Sequence, residues 1–228
     1  MFKRCYSCFR PKQHCLCPEV TVIDPGVSFL FLMHPKEAYQ QKTGTGRLCA
    51  LSLADSEILV GIDFTTNARL LELTSGREGS TPYGDGTTYY PVVLFPSQQA
   101  FTAADPRLRN ASAGKKLLII VIDATWFFAK KMWKLSRSLH DLPCLSFEND
   151  YRSRFIFKKQ PAPEYLSTME SVGYLIRELK AAGLAEPGAD ESALFRLFDT
   201  MVRFQLSCEQ TRNEEQARDL HPELFKRQ

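Results

Sequence analysis

The 228-residue sequence has no apolar run long enough to cross a bilayer; its strongly apolar stretches are strand-sized, and no membrane segment is expected. It also lacks an apolar stretch of signal length at a polar, cysteine-rich N-terminus, which makes a reducing cytoplasm the expected compartment. There the seven cysteines read as thiols or metal ligands before disulfides. Internal repeats are absent, and so is the G-x-x-x-x-G-K-[ST] pattern of a P-loop: residues 42–47, KTGTGR, are flexible and rich in small donors but match a phosphate-binding turn only weakly. Net charge is slight at +3, too little to argue for a polyanion partner by itself. Its distribution says more. Residues 107–137 hold eight Lys/Arg against a single acid, Asp123, while the chain after Glu186 leans acidic. That suits a polyanion-binding surface beside a solvated flank, although an ordinary charged helix face is the plainer reading.

What is present centres on residues 116–139, KLLIIVIDATWFFAKKMWKLSRSL. Residues 117–122 are apolar, rich in β-branched side chains and without alternation, as expected of a strand buried on both faces of a mostly parallel sheet. The run ends at Asp123. From Trp126 the period turns helical, with Phe128, Met132, Leu135 and Leu139 in one sector and Lys130, Lys134 and Arg137 opposite. Extrapolated backwards, Asp123 falls on the basic side and is bordered by Trp126 and Trp133. A carboxylate beyond the carboxyl end of such a strand is where open α/β sheets bind ligands. Asp123 and Thr125 also fit a plain helix cap, with the tryptophans as core.

Four cysteines open the chain as Cys5-x2-Cys8-x6-Cys15-x-Cys17 among basic and polar residues that form no core of their own. Tetrahedral Zn2+ suits four thiolates so spaced, and in zinc-finger peptides the metal contributes roughly 10–16 kcal/mol, enough to order a short loop. A redox C-x2-C pair and unliganded thiols are the alternatives. Arg4, Arg10 and Lys12 are expected to project from this knuckle, with Lys3 nearby.

Further strands are expected at residues 27–33, 58–62, 89–95, 144–147 and 155–157, and helices at 48–53, 67–73, from about 166 to Gly183, and from Glu191 to about Arg212. Residues 76–86 read as a loop, 105–116 as a polar connection, and Ser97 as a helix N-cap. His34 follows the first strand as Asp123 follows the central one, although a hydrogen-bonded loop histidine is the commoner case. Arg152 and Arg154 share a side if extended, able to clamp a carboxylate or phosphate. Ser167-x-x-Glu170 fits a capping box, with Met169, Val172, Leu175, Ile176 and Leu179 inward. Leu194, Leu197, Phe198, Met201 and Val202 should face inward on the last helix. Alternating strands and helices give a mainly parallel α/β sheet flanked by helices.

Asp123-Ala124-Thr125-Trp126 at the end of a hydrophobic strand resembles the D-x-T-W signature of the DTW-domain family, the tRNA-uridine aminocarboxypropyltransferases. Further blocks agree in type and order: Cys5-x2-Cys8, Arg10-Pro11, Cys15-Leu16-Cys17, His34-Pro35-x-Glu37, Leu94-Phe95-Pro96-Ser97, Tyr151-Arg152-x-Arg154 and Leu166-Ser167-Thr168-x-Glu170. Together they span most of the chain. Ala124 and Ser171 depart from the commoner glycine and alanine without removing a functional group. The resemblance implies a SPOUT-like α/β fold with a C-terminal trefoil knot over residues 21–228, preceded by a zinc-binding knuckle over residues 1–20. It implies transfer of the 3-amino-3-carboxypropyl group of S-adenosylmethionine to N3 of a tRNA uridine, with 5′-methylthioadenosine released. Carried onto this chain, Asp123, Thr125 and Trp126 are the expected catalytic residues. S-adenosylmethionine is expected at Leu94, Phe95, Pro96, Ser97, Arg154, Ser167, Thr168 and Glu170. The tRNA is expected at His34, Arg47, Lys130, Lys134, Tyr151 and Arg152, and Zn2+ at Cys5, Cys8, Cys15 and Cys17. An S-adenosylmethionine-dependent RNA methyltransferase and a non-catalytic zinc-ribbon RNA-binding protein are the alternatives.

Overall fold

The computed structural model describes residues 4–41, 44–76, 86–154 and 166–220, with side chains to residue 212. Five parallel strands, β1 (Ser28–Met33), β2 (Ser56–Val60), β3 (Tyr89–Leu94), β4 (Lys116–Asp123) and β5 (Cys144–Leu145), form one sheet in the order β2-β1-β4-β3-β5. β4 is central and paired on both edges, which is why its sequence runs apolar without alternation. Pro91 is tolerated within β3 because it lacks only an N–H on the β5 side. That side is first used at Val93, whose N–H reaches the Pro143 carbonyl at 2.9 Å.

Helices cover both faces. Phe29, Phe31, Ile119 and Val121 pack towards α2 (Gly46–Leu51), α4 (Pro106–Ala111), α6 (Thr168–Ala181) and α7 (Ser192–Leu220). Leu30, Leu32, Leu118 and Ile120 pack towards α3 (Ala68–Thr74) and α5 (Trp126–Leu135). A short helix, α1 (Pro35–Tyr39), follows β1. The five expected inward residues of α6 and the five of α7 are all buried. The Ser167–Glu170 capping box opens α6. Gly183, at φ +66°, closes it: its N–H bonds the Lys180 carbonyl and that of Leu184 the Leu179 carbonyl, a Schellman ending that needs the left-handed residue.

Several expectations are corrected. Residues 105–116 contain α4, N-capped by Asp105, whereas Ser97 caps no helix: the Ala100 N–H bonds its carbonyl in a turn. The helix after Trp126 stops at Leu135, which is exposed, and Leu139 is buried on a separate 3-10 turn, Arg137–Leu139. The break frees buried Ser136 to accept the Phe64 N–H at 3.0 Å, a tertiary bond that periodicity does not register. α2 begins two residues before the expected 48. The strand expected at 155–157 and most of the 76–86 loop lie outside the described residues.

The knuckle packs on this body. Cys8 and Leu16 are buried in the same cluster as Ile23, Met201 and Val202. Arg10, expected to project, is turned inward and only 7% exposed.

Candidate active site

β1 and β4 are neighbours, but the chain leaves β1 towards β2 on one side and β4 towards β5 on the other. The crevice at their carboxyl ends is therefore a topological switch point, the usual ligand position in an open α/β sheet. Met33 pairs with Asp123 there, and the His34 N–H bonds the Asp123 carbonyl at 3.0 Å. The two post-strand polar residues singled out from sequence thus lie side by side.

Asp123 is 4% exposed, and Thr168 Oγ1 donates to its Oδ1 at 2.6 Å. That length belongs to a charge-assisted bond and ties the carboxylate to the first turn of α6. Oδ2 lies over Gly46 in the first turn of α2, where a Cβ would fall 2.1 Å from it. Only glycine leaves the carboxylate its place. Thr125, and not Asp123, holds the N-cap position of α5, without a side-chain cap bond. Nor does Asp123 share an open rim with Lys130, Lys134 and Arg137; these are exposed while the carboxylate is buried.

His34 caps α1, its Nδ1 accepting the Lys36 N–H at 3.1 Å, and its ring stacks on Phe128 at 4.3 Å. Burial, then Lys36 and Lys131, push its pKa below the usual imidazole value. The neutral ring with Nδ1 as acceptor carries its proton on Nε2. Phe128 in turn bears the Lys36 ammonium at 4.7 Å and the edge of Phe127 at 5.3 Å. Phe127, which sequence reasoning passed over, is 76% exposed beside Lys130 and Lys131. Its only sequence signal is an apolar residue off the buried face of α5.

At the end of β3, Phe95 stacks on Trp133 at 4.5 Å and meets Trp126 at 6.2 Å, so the expected tryptophan border is an aromatic cluster around Phe95. Burial raises the Cys144 thiol against a hydrogen bond from Ser97. Glu170 is fully buried, and its carboxylate accepts from Ser167 N–H, Ser153 Oγ and Arg154 N–H at 2.9, 2.9 and 2.6 Å. It staples residues 153–154 to the start of α6. Arg154 reaches Asp199 at 3.0 Å, Arg152 is exposed, and Tyr151 stacks on Tyr174 at 3.9 Å. The His34, Asp123, Gly46 and Thr168 positions converge; Lys134 and Arg152 stand outside them, on the surface. A cavity of about 480 Å³ at the opposite, amino end of the strands is lined by Ser28, Asp55, Glu57 and Arg69, whose charges are engaged in the Lys116–Asp55 and Arg69–Glu57 pairs.

The four knuckle sulfurs lie within 4.8 Å of one another, with Cys5–Cys17 at 3.7 Å and Cys8–Cys15 at 3.8 Å. A tetrahedron with Zn–S of about 2.3 Å has edges of about 3.8 Å, so the donor set fits Zn2+. N–H groups of Cys8 and Ser7 help hold the Cys5 thiol down to about 6, while burial and the neighbouring thiols push Cys17 up.

Residues 2–206 match the family model described as DTW domain. Among curated proteins the chain is 29% identical over 224 residues to tRNA-uridine aminocarboxypropyltransferase A of Arabidopsis thaliana, covering 88% of this chain and 80% of the relative. It is 26% identical over 207 residues to tRNA-uridine aminocarboxypropyltransferase 2 of Drosophila melanogaster, covering 89% and 75%. No solved structure matches the chain.

Proposed function

The chain belongs to the DTW-domain family, and from that premise we propose that it is a tRNA-uridine aminocarboxypropyltransferase. Its substrates are S-adenosylmethionine and a tRNA, and its product carries the 3-amino-3-carboxypropyl group on N3 of a uridine. One observation carries the reading: a buried carboxylate, Asp123, seated at the switch point between α2 and α6 with the His34 backbone bound to its own. N3 of uracil is protonated at neutral pH, so attack needs a base, and Asp123 takes that proton. S-adenosylmethionine supplies an electrophilic γ carbon, and 5′-methylthioadenosine leaves as a neutral thioether. The N3 lone pair forms the new N–C bond as the C–S bond breaks, and orientation of the two reactants contributes heavily to rate. Thr168 holds the carboxylate in place, and Thr125 and Trp126 open the adjacent helix.

The donor is assigned to Leu94, Phe95, Pro96, Ser97, Ser167 and Thr168, in a SPOUT-type knotted arrangement. Glu170 and the Arg154 backbone shape that region through their mutual bond. On the tRNA side, Lys130 and Lys134 take phosphates, exposed Phe127 offers a stacking face for an unpaired base, and His34, Arg47, Tyr151 and Arg152 line the approach. Cys5, Cys8, Cys15 and Cys17 hold a structural Zn2+. No described helix is long and apolar enough to cross a membrane, and a cytoplasmic location accords with the substrate.

The test is nucleoside mass spectrometry of tRNA from cells with and without the gene. A gene-dependent uridine bearing an increment of about 101 Da is expected; about 14 Da would make the protein a methyltransferase, and no increment would leave an RNA-binding protein.

A further inference from the structure

Between the second and third cysteines, the knuckle carries two residues, Phe9 and Arg10, that reach the body of the protein near the site. Phe9 stands at φ 58°, the left-handed region that glycine enters without steric cost, yet the position carries a ring. The Arg47 guanidinium lies 4.1 Å from that ring's centroid. Arg10 is buried; its Nη2 donates to the Gly44 carbonyl at 3.0 Å and lies 3.3 Å from Met201 Sδ on α7. Arg4 adds a bond from Nη1 to the Tyr39 carbonyl at 3.3 Å. Apart from the Met201 contact, these fall on the chain between His34 and the first turn of α2.

That first turn is where Asp123 is seated. Gly46 lies under the carboxylate, and Arg47, the next residue, donates to the Ala38 carbonyl at 3.5 Å. Burial lowers the pKa of Arg47, and Tyr39 and then Asp123 oppose that lowering. Arg10 is the buried counter-charge of the knuckle, close to Cys8, Cys17 and Cys15. Four thiolates around Zn2+ carry a net charge of about −2, so the metal-loaded knuckle favours the inward guanidinium. A merely solvated basic module would show the opposite: arginines in water and no bond to the body.

We propose that Phe9 and Arg10 are positioning residues for the uridine-transfer site: the knuckle clamps Arg47 and Gly44 and thereby fixes the α2 N-terminus against the Asp123 carboxylate. This rests on the functional reading above and adds to it a role for the four-cysteine module beyond stability. The knuckle sets the geometry in which Asp123 meets the uridine.

The test uses full-length protein, purified with zinc, as Phe9→Ala and Phe9→Tyr. Phe9→Ala removes a half-exposed ring, and chain folding and zinc stoichiometry should survive. Amide exchange in α2 should accelerate and kcat fall by about 3- to 30-fold, the range a cation–π contact spans, with KM for S-adenosylmethionine little changed. Phe9→Tyr should restore both. Exchange in α2 equal to the parent's in Phe9→Ala overturns the proposal, and so does loss of zinc from that variant, which would make the effect one of knuckle folding. Should the parent itself transfer nothing to tRNA uridine, the functional reading falls, while α2 exchange still decides the positioning role.

Discussion

Asp123→Asn separates a base from a structural carboxylate. Asparagine is isosteric, so Oδ1 can still accept from Thr168 Oγ1, and the 2.6 Å bond changes from charge-assisted to neutral. That difference amounts to about 1–1.5 kcal/mol, as bonds to charged groups contribute about 1.5–3 and neutral ones about 0.5–1.5. For a domain of this size it lowers Tm by about 2–6 °C. Loss of a general base instead lowers turnover, by about 10²- to 10⁴-fold. The assay is transfer of the labelled aminocarboxypropyl group to tRNA, run beside thermal melting and equilibrium dialysis of S-adenosylmethionine. Modest melting loss, retained donor binding and severe loss of kcat are expected. Transfer near the parental rate would refute the reasoning, for the carboxylate would then only hold α2 and α6 together.

Gly46→Ala should impair turnover more than tenfold with the Asp123 carboxyl group intact, because the new Cβ would meet Oδ2 at 2.1 Å and displace a tied side chain; parental kcat would show that the carboxylate has room to move. Cys8→Ser should lower zinc per chain and stability together, and reduced protein prepared with care yet lacking stoichiometric metal would remove the zinc assignment. Lys130→Ala and Lys134→Ala should each flatten the salt dependence of tRNA binding by about one counterion unit, and unchanged slopes would move the docking face elsewhere. Burial with Lys36 and Lys131 holds the folded-state pKa of His34 below its ordinary 6.5, so its share of stability is complete above that value and is lost as pH falls towards the lowered one. His34→Asn keeps an N-cap acceptor and should melt with less acid sensitivity than the parent; equal sensitivity would assign the acid loss to other groups.

What could be read from the sequence was whatever depends on near neighbours. The apolar runs of β1 and β4, the capping box of α6 and the inward faces of α6 and α7 follow from local periodicity and composition, and the structure matches them, the strands to within one residue at each end. What could not be read depends on distant partners. Arg10 looked solvent-facing in a polar segment, and its burial needs Met201, 191 positions away, together with four sulfurs in one place. Gly46 looked like part of a flexible loop, and the reason for glycine there is a carboxylate on another strand. α5 ends early where Ser136 bonds to Phe64, 72 positions away in sequence but packed on the same face of the sheet.

The site shows the same division more sharply. His34 and Asp123 were each recognisable as polar residues just beyond an apolar strand, but nothing local says that their strands are neighbours. That pairing comes from the order β2-β1-β4-β3-β5, in which the first and fourth strands meet and their connections part. Strand order is set by which helices can cover which face, a long-range packing outcome. Once it is set, the rest is constrained. The crevice must open where β1 and β4 end, Asp123 must enter it, and a residue without a side chain must stand opposite. The segment bearing that residue is held from within by Leu48, Cys49 and Ala50 of α2, and the knuckle, through Phe9 and Arg10, adds the contacts that hold it from outside.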